Sequence, residues 1–171
     1  MTDKAQAQKL ASALRELHRA LMERARRDYE RTHSLNLTPG ELLQLLTTDA
    51  DFEWLRGLSE LIVDIDLVRD AGQSIIGELA SAVRAAVEHF ISPPAEGIAA
   101  NPFSQRYWPY LRDDPHVAMA HAAVKQAVGA WPRPQQDDAA TLLHERHRLA
   151  EQARHHSQAR QGAKHPHKSK S

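Results

Sequence analysis

Residues 37–70, LTPGELLQLLTTDADFEWLRGLSELIVDIDLVRD, decide the fold class. Thr38-Pro39-Gly40-Glu41 matches a capping box, in which the Thr38 hydroxyl accepts from the third helical amide and the Glu41 carboxylate reaches back to the cap. Pro39 takes the first helical position, where its missing donor costs nothing. Leu42, Leu43, Leu45 and Leu46 follow, enough for a short buried helix. Thr48, Asp49 and Asp51 then compete to cap the next one. From there Trp54, Leu55, Leu58, Leu61, Ile62, Ile65 and Val68 recur at three and four residues, one wide helical stripe, with Glu53, Arg56, Glu60 and Asp64 on the opposite face. Alternation of period two is absent. The stretch predicts an all-α protein.

Working outward, the N-terminal 5–32 region reads as a long helix. Ala7, Leu10, Leu14, Leu17 and Leu21 form a coiled-coil-like seam that passes to Ala25 and Tyr29, as a straight helix of 3.6 residues per turn requires. The arginines at 24, 26, 27 and 31 lie three or four positions from Glu23, Asp28 and Glu30, so they read as a salt-bridged helix end rather than a nucleic-acid patch. Downstream, a helix over 73–91 carries Ile75, Ile76, Leu79, Ala80, Val83, Ala86, Val87 and Phe90 and stops at Ser92-Pro93-Pro94. A short helix over 103–111 is anchored by Phe103, Tyr107, Trp108 and Leu111, with Pro109 expected to kink it or cut it short. Asp114-Pro115 reads as a cap and first-position proline opening a last core helix to about Ala130. The expected architecture is an irregular bundle of five or six helices over residues 1–132. Residues 133–171 should form a polar helix, about 137–158, and a disordered basic tail rich in histidine.

Composition excludes several classes. A chain of 171 residues with 42% hydrophobic and 26% charged side chains supports one domain with a real core. No apolar run is long enough for a membrane span, and the polar N-terminus lacks the apolar segment of a secretory signal, so the expected location is cytoplasmic and no membrane partner is expected. With no cysteine there is no disulfide framework, thiolate metal site or thiol nucleophile. No phosphate loop, nucleophile elbow or zinc-protease motif occurs. The net charge of zero conceals a polarity: residues 41–96 hold eleven acids against Arg56, Arg69 and Arg84, whereas residues 152–171 hold five basic side chains and no acid.

Few residues suggest chemistry. Six of the eleven histidines fall between His144 and His167, but Arg146 and Arg148 oppose a cation there, and no metal or other cofactor is expected. His18 and His121 each border an apolar stripe and read as edge residues with a hydrogen bond. Ser59 and Asp66 lie on one flank of the 51–70 helix, where a half-buried aspartate needs a partner; Arg69, Arg84 and His121 are the candidates. Ser59, Asp66 and His121 are thus candidate buried polar residues, and Glu53, Glu60 and Asp64 a candidate acidic binding face.

The motif LTPGELLQLL followed by DFEWLRGLSELIVDID resembles a group of small helical bacterial proteins of uncharacterised activity. The likeness covers residues 37–70 and extends faintly to Trp108–Leu111 and the 114–128 helix. It implies a helical fold and carries no activity, cofactor or catalytic residue.

The reading that follows is a non-enzymatic interaction or regulatory module, acting on another protein through the acidic face and the basic tail. A second reading is a nucleic-acid-associated protein tethered by that tail, and a third an enzyme or metal-binding bundle. Helix one offers a seam for a homodimer.

Overall fold

The computed structural model describes residues 4–70, 77–94, 96–97 and 99–133, with Arg148 and His155 as isolated helical positions. Among these residues there are seven helices and no strand: α1 Lys4–His33, α2 Pro39–Thr48, α3 Ala50–Glu53, α4 Arg56–Asp70, α5 Gly77–Ile91, α6 Pro102–Asp113 and α7 Pro115–Gly129. The tail helix and the beginning of the expected 73–91 helix lie outside the described residues.

α1 is the spine. Its 30 residues extend about 45 Å at 1.5 Å per residue. Leu10, Leu14, Leu17 and Leu21 are wholly buried against this chain's own helices, so the seam expected to offer a homodimer is closed within the bundle. It packs chiefly on α7 and next on α4; α5 touches both α4 and α7, and α6 lies along α7. Alanines at 7, 11, 13 and 25 on α1 and at 127 on α7 are buried in the core, and such small side chains let helix axes approach. α1 ends without glycine. Ser34 takes the left-handed conformation (φ 53°) while the Leu35 N–H bonds to the Glu30 carbonyl at 3.1 Å, a Schellman-type close. Glu30 also accepts from the Leu37 N–H at 2.8 Å and from Arg26 at 2.8 Å, tying the connection back to α1.

The capping box forms in full: the Glu41 N–H donates to the Thr38 hydroxyl at 3.3 Å and the Thr38 N–H to the Glu41 carboxylate at 2.8 Å. α2 is nevertheless peripheral. No residue in it is fully buried; Leu42, Leu45 and Leu46 lean on the core, and Leu43 is 65% exposed. A run of leucines shows apolar content but not how many sides of the helix find a neighbour.

One expected helix is two. The 51–70 region breaks at Trp54–Leu55, which raises the helix count from the expected five or six to seven. The cause is local. The Trp54 indole N–H donates to the Asp51 carbonyl at 2.9 Å, the acceptor that a continuous helix would offer to the Leu55 N–H, and Leu55 bonds instead to the Phe52 carbonyl at 3.0 Å. Asp49 caps α3 by accepting from the Asp51 N–H at 2.8 Å. Conversely, Pro109 does not end α6, which continues to Asp113. Pro109 is exposed, and so is Gln105, whose carbonyl loses its intrahelical donor and can turn to water. Asn101 caps α6 by accepting from the Ser104 N–H at 2.8 Å, with Pro102 at the first position.

Candidate functional site

α4 has two working flanks, and they sort the candidate residues. Ser59 and Asp66 share the flank that faces α1. Ser59 Oγ lies 2.8 Å from His18 Nε2, Asp66 is ion-paired to Arg15 and, at 3.2 Å, to Arg69, and Arg69 donates to Gln8 at 3.0 Å. Positions 8, 15 and 18 on α1 thus meet 69, 66 and 59 on α4, an antiparallel polar ladder that sets the register between the two helices. Of the three partners expected for Asp66, only Arg69 is used; Arg15 takes the other place.

The second flank faces α5. At Gly57 an added Cβ would come within 3.1 Å of the Phe90 ring, and Asp64, two helical turns later on the same side, is buried at 7% exposure. This corrects the acidic face. α4 is covered from α1 and from α5, so its buried arc is wider than its apolar stripe, and Asp64 falls inside it. Glu53 and Glu60 stay exposed, with Glu53 held 3.4 Å from Arg56.

His18 and Ser59 have the composition of a nucleophile–base pair without its surroundings. The Ser59 hydroxyl also lies 3.2 Å from the Leu55 carbonyl, its own helix's acceptor, and the Ser59 N–H is spent on the same carbonyl at 3.1 Å. None of the three described clefts contains Ser59 or His18, so no substrate space adjoins the pair among them. Burial lowers the His18 imidazole from its ordinary value of 6.5, leaving it a neutral hydrogen-bonding ring.

His121 meets neither Asp66 nor Ser59 in a hydrogen bond. Its Nδ1 lies 2.5 Å from the hydroxyl of Tyr107, which is wholly buried. Desolvation raises the Tyr107 phenol, so it keeps its proton and donates to Nδ1. Desolvation, with Lys125 nearby, lowers His121 from 6.5. The pair joins α6 to α7 beside Trp108, whose ring centroid is 6.3 Å from the imidazole.

The arginine cluster of α1 is internally neutralised, as its spacing implies: Arg24 pairs with Asp28 at 3.4 Å, Arg26 with Glu23 at 2.5 Å, and Arg31 with Asp28 at 3.1 Å. Its most consequential partner was not legible. Asp114, only 5% exposed, accepts from Arg27 at 2.7 Å, lies 3.8 Å from Arg24 and caps α7 through the His116 N–H at 2.9 Å. A single carboxylate therefore ends one helix junction and pins it to α1.

A cleft floored by aromatic rings lies where α3 and the start of α4 meet α6. It measures about 490 Å³. Trp54, Phe90 and Phe103 form its floor, with the Trp54 and Phe103 centroids 5.7 Å apart and Phe90 edge-on to Phe103 at 4.9 Å. Glu53, Gln105 and Arg106 line its rim, and Arg106 also lies 3.6 Å from Asp51. Among the described residues no three His, Asp or Glu side chains are grouped to hold a metal, and no helix is long and apolar enough to cross a membrane. The tail histidines lie outside the described residues, His155 apart. Comparison with protein-family models, with curated proteins and with solved structures gives no match.

Proposed function

We propose that this protein is a non-enzymatic binding module of the cytoplasm that engages another protein through the α3–α4 edge and the aromatic cleft beside it. One observation carries the reading: an open cleft with three aromatic rings in its floor and charged side chains at its rim, continuous with exposed Glu53 and near exposed Glu60. Concave, mostly apolar sites with a few convergent polar groups are where ligands bind, and aromatic side chains supply much of the energy of protein interfaces. The polar groups that chemistry would need are occupied elsewhere. Ser59, His18, Asp66, Tyr107 and His121 all serve helix-to-helix contacts. The exposed carboxylates of Glu53 and Glu60 suit a partner segment carrying both an apolar side chain and a cation.

Affinity capture from the native host tests this. The wild-type chain is compared with Glu53→Lys/Glu60→Lys, both exposed positions that leave the core intact. A partner retained by the wild type and lost with the charge reversal is expected; an identical set of captured proteins, or none, contradicts the reading.

The basic run at 152–171 supports a second reading, nucleic-acid association through the tail. Binding would then fall with salt in proportion to the phosphates neutralised and disappear when residues 134–171 are removed.

A further inference from the structure

The largest described cleft, about 760 Å³, is a groove between α1 and α7. Its floor is small and apolar, with Ala20 from α1 and Ala120 and Ala123 from α7, and Met22 and Met119 line its sides. Met119 is 72% exposed, more than any other large hydrophobic side chain among the described residues. Apolar surface of this kind marks an interface, and methionine adapts its shape to whatever covers it.

We propose that a second copy of this chain covers the groove, with α1 of one protomer lying antiparallel to α1 of its partner about a two-fold axis. The charges on the α1 rim select this occupant. In chain order they are Glu16, Arg19, Glu23 and Arg27, alternating in sign, so that the row read backwards is its own complement. An antiparallel copy sets Glu16 against the partner's Arg27 and Arg19 against the partner's Glu23. A parallel copy would set each charge against its like. Both complementary pairs share a midpoint in the turn at Leu21–Met22, so one axis serves them all.

α7 agrees with that axis. Its N-cap, Asp114, meets Arg24 and Arg27, and from there α7 runs back towards the N-terminus of α1. Met119, five residues on, comes level with the same turn. The two Met119 side chains then meet beside the dyad, over a floor of alanines that permits close approach. Such a surface is self-complementary, as an isologous interface must be. All four charges already have partners within the chain, Arg19 with Glu16, Glu23 with Arg26 and Arg27 with Asp114. The interface exchanges the Arg19–Glu16 pair, whose side chains are 72% and 58% exposed, while Arg27, 49% exposed, keeps Asp114 and meets the partner's Glu16 as well.

The chain contains no cysteine, which makes the test clean. Sedimentation of the full chain should show a concentration-dependent dimer, and Met119→Cys should oxidise to a covalent dimer at the axis. Arg19→Glu should raise the dimer dissociation constant about tenfold, because each reversal acts twice across a two-fold interface, and Arg19→Glu/Glu23→Arg should restore it. A chain that stays monomeric at every concentration overturns the proposal. So does a dimer that neither cross-links through Met119→Cys nor responds to Arg19→Glu. A monomer whose Met119→Cys thiol is shielded from a thiol reagent also overturns it, since another segment of the chain then fills the groove.

Discussion

Asp114 shows how much one side chain can hold. It caps α7 and receives Arg24 and Arg27 at 5% exposure. Asp114→Ala should cost about 2–4 kcal/mol in chemical denaturation, combining a lost cap with a broken buried ion pair. Asp114→Asn, which keeps the cap, should cost less; equal losses would mean that the cap contributes nothing. The cap was legible from Asp114-Pro115, but the arginines were not, because they lie 87 positions away for the shorter contact and sequence spacing carries no information across that separation. Ser59 and Asp66 were legible as polar positions on one flank for the same local reason, while their partners His18 and Arg15 were not. The histidines supply a pH prediction. His18 and His121 are both held below 6.5 by burial, so the unfolded chain takes up protons that the folded chain refuses. Stability is therefore complete above pH 6.5 and falls as pH drops below 6.5 towards the folded values. Carboxylates with lowered values, Glu23, Glu41 and Asp113, add losses only at lower pH, below about 4.5. The melting temperature should drop between pH 7 and 5.5, and the drop should shrink in His18→Gln and His121→Gln; an unchanged slope in both would contradict this account.

At the scale of elements, periodicity and caps located the described helices apart from the division of α3 from α4, because both act within four or five residues. The boundaries that moved did so through bonds that no pattern records. α3 and α4 separate where the Trp54 indole captures the Asp51 carbonyl, a competition between side chain and backbone. α6 runs through Pro109 because the position is exposed and water can serve the orphaned carbonyl. Asp64 moved from surface to interior because α5 covers a flank that the apolar stripe leaves open. The close of α1 gives the sharpest element-level prediction. Ser34 sits at φ 53°, where a Cβ costs about 1–2 kcal/mol and glycine pays nothing. Ser34→Gly should raise stability by about 0.5–1 kcal/mol after the greater chain entropy of unfolded glycine is deducted. A loss of stability on thermal or denaturant unfolding would show that the serine hydroxyl contributes more than its backbone costs.

For the molecule as a whole, α1, α4, α5 and α7 bury the core, and their polar residues are spent on registering one helix against another. The clefts of most interest among the described residues are the aromatic cleft at α3, α4 and α6 and the groove between α1 and α7. Neither was legible beforehand, since each is built from helices distant in sequence: Trp54 and Phe103 read as core anchors, which they are, and only the fold leaves them at the floor of a cleft. The acidic residues were legible as composition; Glu53 and Glu60 are exposed, and Asp64 is buried. The aromatic cleft is proposed to bind a protein partner and to perform no chemistry. The most direct measurement places a photo-reactive amino acid at Gln105, exposed on the cleft rim, and at Lys9, exposed on α1 away from it, and irradiates the full chain in its native host. A covalent adduct with a distinct protein is expected from position 105 and none from position 9. No adduct at 105, or the same adducts from both positions, would contradict it.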